Sequence, residues 1–353
     1  MTSISVADRC SGGARSPLRK PMKAFRSHSN SPRRTAILAT SLATALCRLH
    51  AAETAAAAAA PAEKPEKPAP LPLHQIEGNG GIFATLSAYI VNPPRAGEAL
   101  GRPSIGFSYV NLGHEQNLEA LTLTESPWSR LELGYGWNRL GLGDLPSALD
   151  GALAPAGYTG PNEVQLHNAN ARLQLLKEGE FQTKWIPALT AGVHYKYNDG
   201  IDDVNAGTAG AVPGGALASI AGIHHHDGVD FTLYASKLLT FLPRPVLLEL
   251  GGRATTGVWN GLGGFTSSYS FLFEGNVVVF VTGNLALAAE YKQQPNDYQP
   301  IGNLVKESGD WWTLDVAYVA SKHVTLAAGY GHFGGVLNHE ANGVWGITTK
   351  YEF

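Results

Sequence analysis

The nearest thing to a metal-ligand cluster in the sequence is His224, His225, His226 and Asp227, with Asp202 and Asp203 earlier in the same loop. Imidazole and carboxylate groups suit a zinc-class ion. Consecutive residues of an extended chain point in alternate directions, however, so three adjacent histidines rarely serve one ion, and no partner that would orient them is apparent. We read the cluster as a solvated loop and expect no metal. Nucleophilic chemistry has no better footing, because neither G-x-S-x-G nor H-E-x-x-H occurs. Gly251, Gly252 and the stretch WNGLGGF at 259–265 are glycine-rich, yet no helical period follows them as a phosphate-cradling loop requires. We therefore expect no enzyme and no cofactor.

The remaining polar chemistry lies in charged residues that face apolar neighbours at every second position. They are Arg130, Glu132, Arg172, His194, Lys196, Asp230, Glu249, Arg253, Glu290, Lys292 and Asp315, with Lys350 and Glu352 near the end of the chain. Only strands place such residues on one face. In SRLELGYGWN, Leu131, Leu133, Tyr135 and Trp137 oppose Arg130, Glu132, Gly134, Gly136 and Asn138. In WWTLDVAYVA, Trp312, Leu314, Val316 and Tyr318 oppose Thr313, Asp315 and Ala317. About 13 such segments can be counted, most of roughly 9 to 12 residues, the length a tilted strand needs to cross a bilayer. They begin near residues 82, 104, 118, 129, 164, 187, 228, 246, 267, 284, 311, 323 and 343.

Composition agrees with such a wall. The chain has 353 residues, 44% hydrophobic and only 16% charged, with 41 Gly, and its mean hydropathy is near zero at -0.08. No run of about 18 apolar residues exists to form a transmembrane helix. The net charge of -3 hides two unlike parts. Nine of the 26 basic residues and one of the 29 acidic ones lie in the first 52, which leaves 17 against 28, a net -11, in the remainder. That acidity argues against nucleic acid as a partner. Residues 1–52 read as an export signal: a basic stretch ending at Arg33 and Arg34, the apolar run TAILATSLATAL at 35–46, and small residues near Ala51 and Ala52. Met22 is an alternative start. Both cysteines, Cys10 and Cys47, would leave with the signal. Residues 53–75 are rich in alanine and proline and read as a disordered linker. A folded domain is expected over 76–353.

A soluble β-sandwich also alternates, so further features have to decide. Connections alternate between short (321–322, 282–283, 240–245) and long (near 139–162, 199–227 and 294–310), as they do in outer-membrane barrels. The chain ends on GVWGITTKYEF, whose outward face would be Trp345, Ile347, Thr349, Tyr351 and Phe353. Such barrels have an even number of strands with both termini periplasmic, so an odd count must be wrong by one. Either a strand hides in a long loop, giving 14, or GNGGIFATLSAYI is not in the wall and occupies the lumen or rim, giving 12. We favour 12. Gly78, Gly80 and Gly81 suit close backbone packing inside a barrel, and the long loops near 139–162 and 199–227 could also fold inward.

The closing strand, with Tyr351 and terminal Phe353, resembles that of Gram-negative outer-membrane barrels, and the resemblance implies recognition of these residues by the barrel-assembly machinery. The blocks EGNGGIFATLSAYIVNPP, IPALTAGVHYKYNDG, DFTLYASKLL, LAAEYKQQPNDY and DWWTLDVAYVASKHVTLAAGYGHFG resemble a bacterial family of unknown function presumed to lie in the outer membrane. That family offers no catalytic motif. The expectation is an antiparallel transmembrane β-barrel in contact with outer-membrane lipid. Its mixed inward charges would form a paired network or line a polar pore. A porin-like passive channel or transporter for a small solute is the leading reading, with a non-conducting structural or surface-interaction barrel as the alternative.

Overall fold

Alternation of large apolar and polar side chains shapes every wall strand, because the pleat sends neighbours to opposite faces. The computed structural model describes residues 73–95, 97–209 and 217–353. The expected export signal, and the expected linker up to residue 72, lie outside the described residues. The last three residues assigned to the linker are instead a strand, β1 (Leu73–Gln75), which pairs antiparallel with β2 (Asn79–Gly81). Ordered chain therefore begins at least three residues earlier than the composition indicated, because β1 draws its order from tertiary partners rather than from its own residues.

Then follow β3 (Ser104–Gly113), β4 (Gln116–Trp128), β5 (Leu131–Leu142), β6 (Glu163–Leu176), β7 (Ala188–Asp199), β8 (Asp227–Leu239), β9 (Val246–Gly257), β10 (Phe265–Phe280), β11 (Leu285–Lys292), β12 (Ser308–Val319), β13 (Val324–Val336), the two-residue β14 (His339–Glu340) and β15 (Val344–Glu352). Sequential neighbours pair antiparallel from β3 to β13. β15 joins β13 to β3, and the β12–β13 pairing closes the ring. Since β14 only folds back on the end of β13, the wall has 12 strands. Their starts fall within a few residues of the expected ones, and the segment at 82–91 is the one that is not wall.

Turns at one end of the barrel are mostly short, at 129–130, 240–245, 281–284 and 320–323, and the connection at 177–187 is the longest there. The opposite end carries the long loops at 143–162, 200–226, 258–264, 293–307 and 337–343, together with the tight turn His114–Glu115. Both residues of that turn have positive φ, 50° and 62°, the conformation a two-residue hairpin turn needs. Among the described residues, three helices sit in the long loops: α1 (Leu145–Ala152), α2 (Ile201–Thr208) and α3 (Leu217–Ile220). Leu145 and Leu149 of α1, one turn apart on one face, are both buried, as are Ile201 and Val204 of α2. They join Trp259, Leu262, Trp311, Phe333 and Val336 in an apolar cluster that caps the lumen at the long-loop end.

The outer face is apolar. Phe107, Leu121, Leu233, Leu250, Leu314 and Ile347 are among many large side chains left exposed there. A soluble monomer rarely exposes a continuous apolar surface of more than a few hundred Å². A closed ring of tilted strands with such a girdle is an outer-membrane barrel. Among the described residues no helix is long and apolar enough to cross a membrane.

Candidate functional site: the plugged lumen

Residues 73–91 run through the lumen as a plug. Both of its ends lie at the short-turn end. His74 hydrogen-bonds through Nδ1 and Nε2 to Thr122 (2.8 Å) and to Ser104 (2.7 Å), the first residue of β3. The amide of Val91 donates to Glu132 near the start of β5 (2.8 Å). In between, the chain packs its backbone directly on β5. A Cβ on Gly134 would lie 1.9 Å from the carbonyl oxygen of Gly78, and one on Gly78, whose φ is +84°, would lie 2.3 Å from that of Tyr135. Only glycine fits both sides of this contact. The 12-strand alternative, with the glycine-rich segment inside the barrel, is the arrangement the fold adopts.

Twelve of the thirteen residues expected to face inward do so and are buried: Glu132, Arg172, His194, Lys196, Asp230, Glu249, Arg253, Glu290, Lys292, Asp315, Lys350 and Glu352. Arg130 is the exception. It occupies the turn between β4 and β5, where it pairs with Glu180 at 2.6 Å on the rim. The turn interrupts the period-two count, so parity on β5 does not extend back to Arg130.

Partners for the inward charges come largely from the plug. Arg253 is held by three carboxylates: Glu77 of the plug (2.6 Å), Asp230 (2.8 Å) and Glu274 (2.7 Å). Lys196 binds Asp230 at 2.7 Å and also pairs with Glu77, while Lys292 lies 3.3 Å from Glu274. Glu290 accepts hydrogen bonds from three successive plug amides, those of Phe83 (3.1 Å), Ala84 (3.1 Å) and Thr85 (2.8 Å). Thr313 donates to Glu290 as well (2.9 Å). Glu132 accepts from the amide of Gly80 (3.2 Å) and from Arg172 (3.0 Å), and Arg172 also donates to the Gly80 carbonyl (2.9 Å). Glu249 accepts from Ser236 (2.8 Å), Asn276 (2.7 Å) and the plug residue Ser87. His194 is buried beside Thr232, at 3.4 Å. Buried charges are tolerable when paired and hydrogen-bonded, and here the plug completes much of that pairing.

Glu77 and Glu274 belong to this network but escaped the sequence reading. Glu77 is in no regular strand, and the distance along the chain between Glu77 and Arg253 hides their contact. What space remains is small. A cavity between plug and wall, bordered by Leu73, Phe83, Asp315 and Thr348, measures about 20 Å³, and one in the apolar cap beside Trp259 and Trp311 about 10 Å³. The larger has room for about one water molecule. Among the described residues, the plug and the charges that answer it are buried together in the lumen.

The histidines that opened the sequence reading do not converge. His226 contacts Asp202 at 2.9 Å, while His225 bridges to the backbone of Phe265. Tyr195 and Tyr197 face outward, and Tyr351 and Phe353 are exposed on the outer face of the closing strand and beyond it.

Several solved structures are similar to this chain, three of them as follows. The KdgM porin matches over 71% of this chain and 99% of its own, at 9% identity and a TM-score of 0.40. The NanC porin matches over 71% and 100%, at 10% identity and 0.42. The outer membrane protein Omp33 of Acinetobacter baumannii matches over 72% and 99%, at 9% identity and 0.38. No residue or role carries over at these values. No curated protein matches the sequence. The family described as "Protein of unknown function (DUF3034)" matches residues 72–348, which take in the plug and nearly the whole wall, and the chain belongs to it.

Proposed function

We propose that the protein is a passive outer-membrane channel for a small polar solute, closed in the form described by its own plug. One observation carries this reading: the wall around the middle of the lumen is charged, and its charges are answered by a segment that is not part of the wall. A permanently filled barrel has little need of so many buried ions, which well-packed apolar residues of similar volume often replace at no loss of stability. The plug also enters and leaves through the short-turn end, so withdrawal requires no strand to open. No catalytic step is part of this reading. Lipid contacts the outer girdle, and the closing strand with Tyr351 and Phe353 is the surface the barrel-assembly machinery would grip.

A non-conducting structural barrel is the second reading, favoured by the apolar cap that fills the long-loop end. Planar-bilayer recording on a reversible tether separates the two. A Cβ on Gly106 of β3 would lie 3.0 Å from the Cβ of His74 in the plug, close to the separation a disulfide spans, so His74→Cys with Gly106→Cys ties plug to wall. Reproducible conductance steps after reduction and silence after oxidation are expected. A membrane silent in both states, for this variant and for the unmodified protein at high load, would remove the channel reading.

A further inference from the structure

We propose that His114, Asp144 and His339 form a binding site for one divalent transition-metal ion of the zinc class at the long-loop end of the barrel. The three residues come from three separate connections: the β3–β4 turn, the residue that precedes α1, and β14. Barrel closure brings them together, and their ligating atoms lie within 4.8 Å of one another. His339 Nε2 is 2.7 and 2.9 Å from the two carboxylate oxygens of Asp144. The imidazole rings of His114 and His339 stack at 3.7 Å between centroids and 2° between planes.

The set is held from behind. Asn338 donates to Asp144 through Nδ2 at 2.8 Å, and Gln116 donates to Asn338 Oδ1 at 3.0 Å. Both amides are buried, so the carboxylate is aimed by a fixed relay of the kind that orients metal ligands. Two imidazoles and one carboxylate suit zinc, nickel or copper, whereas calcium and magnesium prefer oxygen ligands alone. His114 is exposed and Asp144 is half open to solvent, which leaves room for a water as fourth ligand.

The metal takes the place of the proton on His339 Nε2, and the neutral imidazole then carries its proton on Nδ1. Metal–ligand bonds of about 2.0–2.2 Å draw the ligating atoms together from their present spacing. The His114 ring turns out of the parallel stack as this happens, a movement open to an exposed side chain on a turn. The bound ion would join three loops across the apolar cap. This inference is independent of the channel reading.

Isothermal titration of zinc into the full chain, folded in detergent and stripped with chelator, tests it. One ion per barrel at micromolar affinity is expected. His339→Ala and His114→Ala should each abolish it, Asn338→Ala should weaken it roughly tenfold or more, and His226→Ala, which breaks the other histidine–aspartate contact, should leave it unchanged. Cobalt added to the unmodified protein should give the visible absorption of a nitrogen-ligated low-coordinate site, a readout independent of variant folding. No heat at micromolar zinc, or a titration that survives loss of both His114 and His339, would overturn the proposal.

Discussion

Glu290 and Arg253 hold the plug by opposite means, one by accepting amides and the other by donating to carboxylates. Glu290→Gln keeps the size of the side chain but turns half of an acceptor into a donor facing the amides of Phe83, Ala84 and Thr85. Charge-assisted hydrogen bonds of this kind are worth about 1.5–3 kcal/mol each. The variant should fold, show more frequent conductance steps in a planar bilayer, and expose residues 73–91 to protease from the short-turn end. Arg253→Ala is more severe, because it leaves Glu77, Asp230 and Glu274 buried with only Lys196 and Lys292 to answer them. Removing one partner from a buried ionic cluster costs about 3–5 kcal/mol, readable as a lowered urea midpoint followed by tryptophan fluorescence. Arg130→Ala serves as the counterpart. Its pair with Glu180 lies on the partly exposed rim, where such contacts are worth about 0–1 kcal/mol, so its unfolding curve should nearly overlay that of the unmodified protein.

Among the elements, the plug is the one seated by a backbone-on-backbone contact that leaves no room for a side chain. Gly134→Val should exclude the hairpin from its seat, since even a Cβ there falls 1.9 Å from the Gly78 carbonyl oxygen. The barrel should still form, and amide exchange across 73–91 should rise while the wall stays protected. Gly252→Ala is the control, because the nearest atom to its Cβ, the Leu272 carbonyl oxygen, is 3.7 Å away. The wall strands were legible in the sequence because lipid on one side and a polar lumen on the other impose one alternation along the whole of each strand. The plug was legible only indirectly, from the odd strand count and from Gly78, Gly80 and Gly81. Its hairpin has no periodicity of its own, since every residue in β1 and β2 is buried. Arg130 was misplaced because parity carries no information across a turn. The grouping of His114, Asp144 and His339 was not legible at all, since barrel closure alone makes neighbours of β3, β13 and β15.

At the level of the whole molecule, the near-zero mean hydropathy is the sum of two surfaces turned inside out relative to a soluble protein. Charge lies inside, against the plug, and the apolar side chains lie outside. A charge placed outside should therefore cost more than it would on any ordinary protein surface, and the cost should depend on lipid. Leu250 is well placed for the test, since it sits on the outer face of β9, 58% exposed, between Ala235 of β8 and Gly275 of β10. Leu250→Arg should lower folding stability in phospholipid vesicles by about 2–4 kcal/mol if the position is near the bilayer midplane, falling to about 0–1 near an interface. A urea titration of the vesicle-embedded protein measures the loss, and moving the arginine to Leu248 and then to Tyr318, close to the β12–β13 turn, should trace the decline toward the short-turn rim. An unchanged midpoint at all three positions would mean that the exposed girdle does not face hydrocarbon. A loss that falls off toward the turn would fix the depth of the barrel's short-turn rim in the membrane.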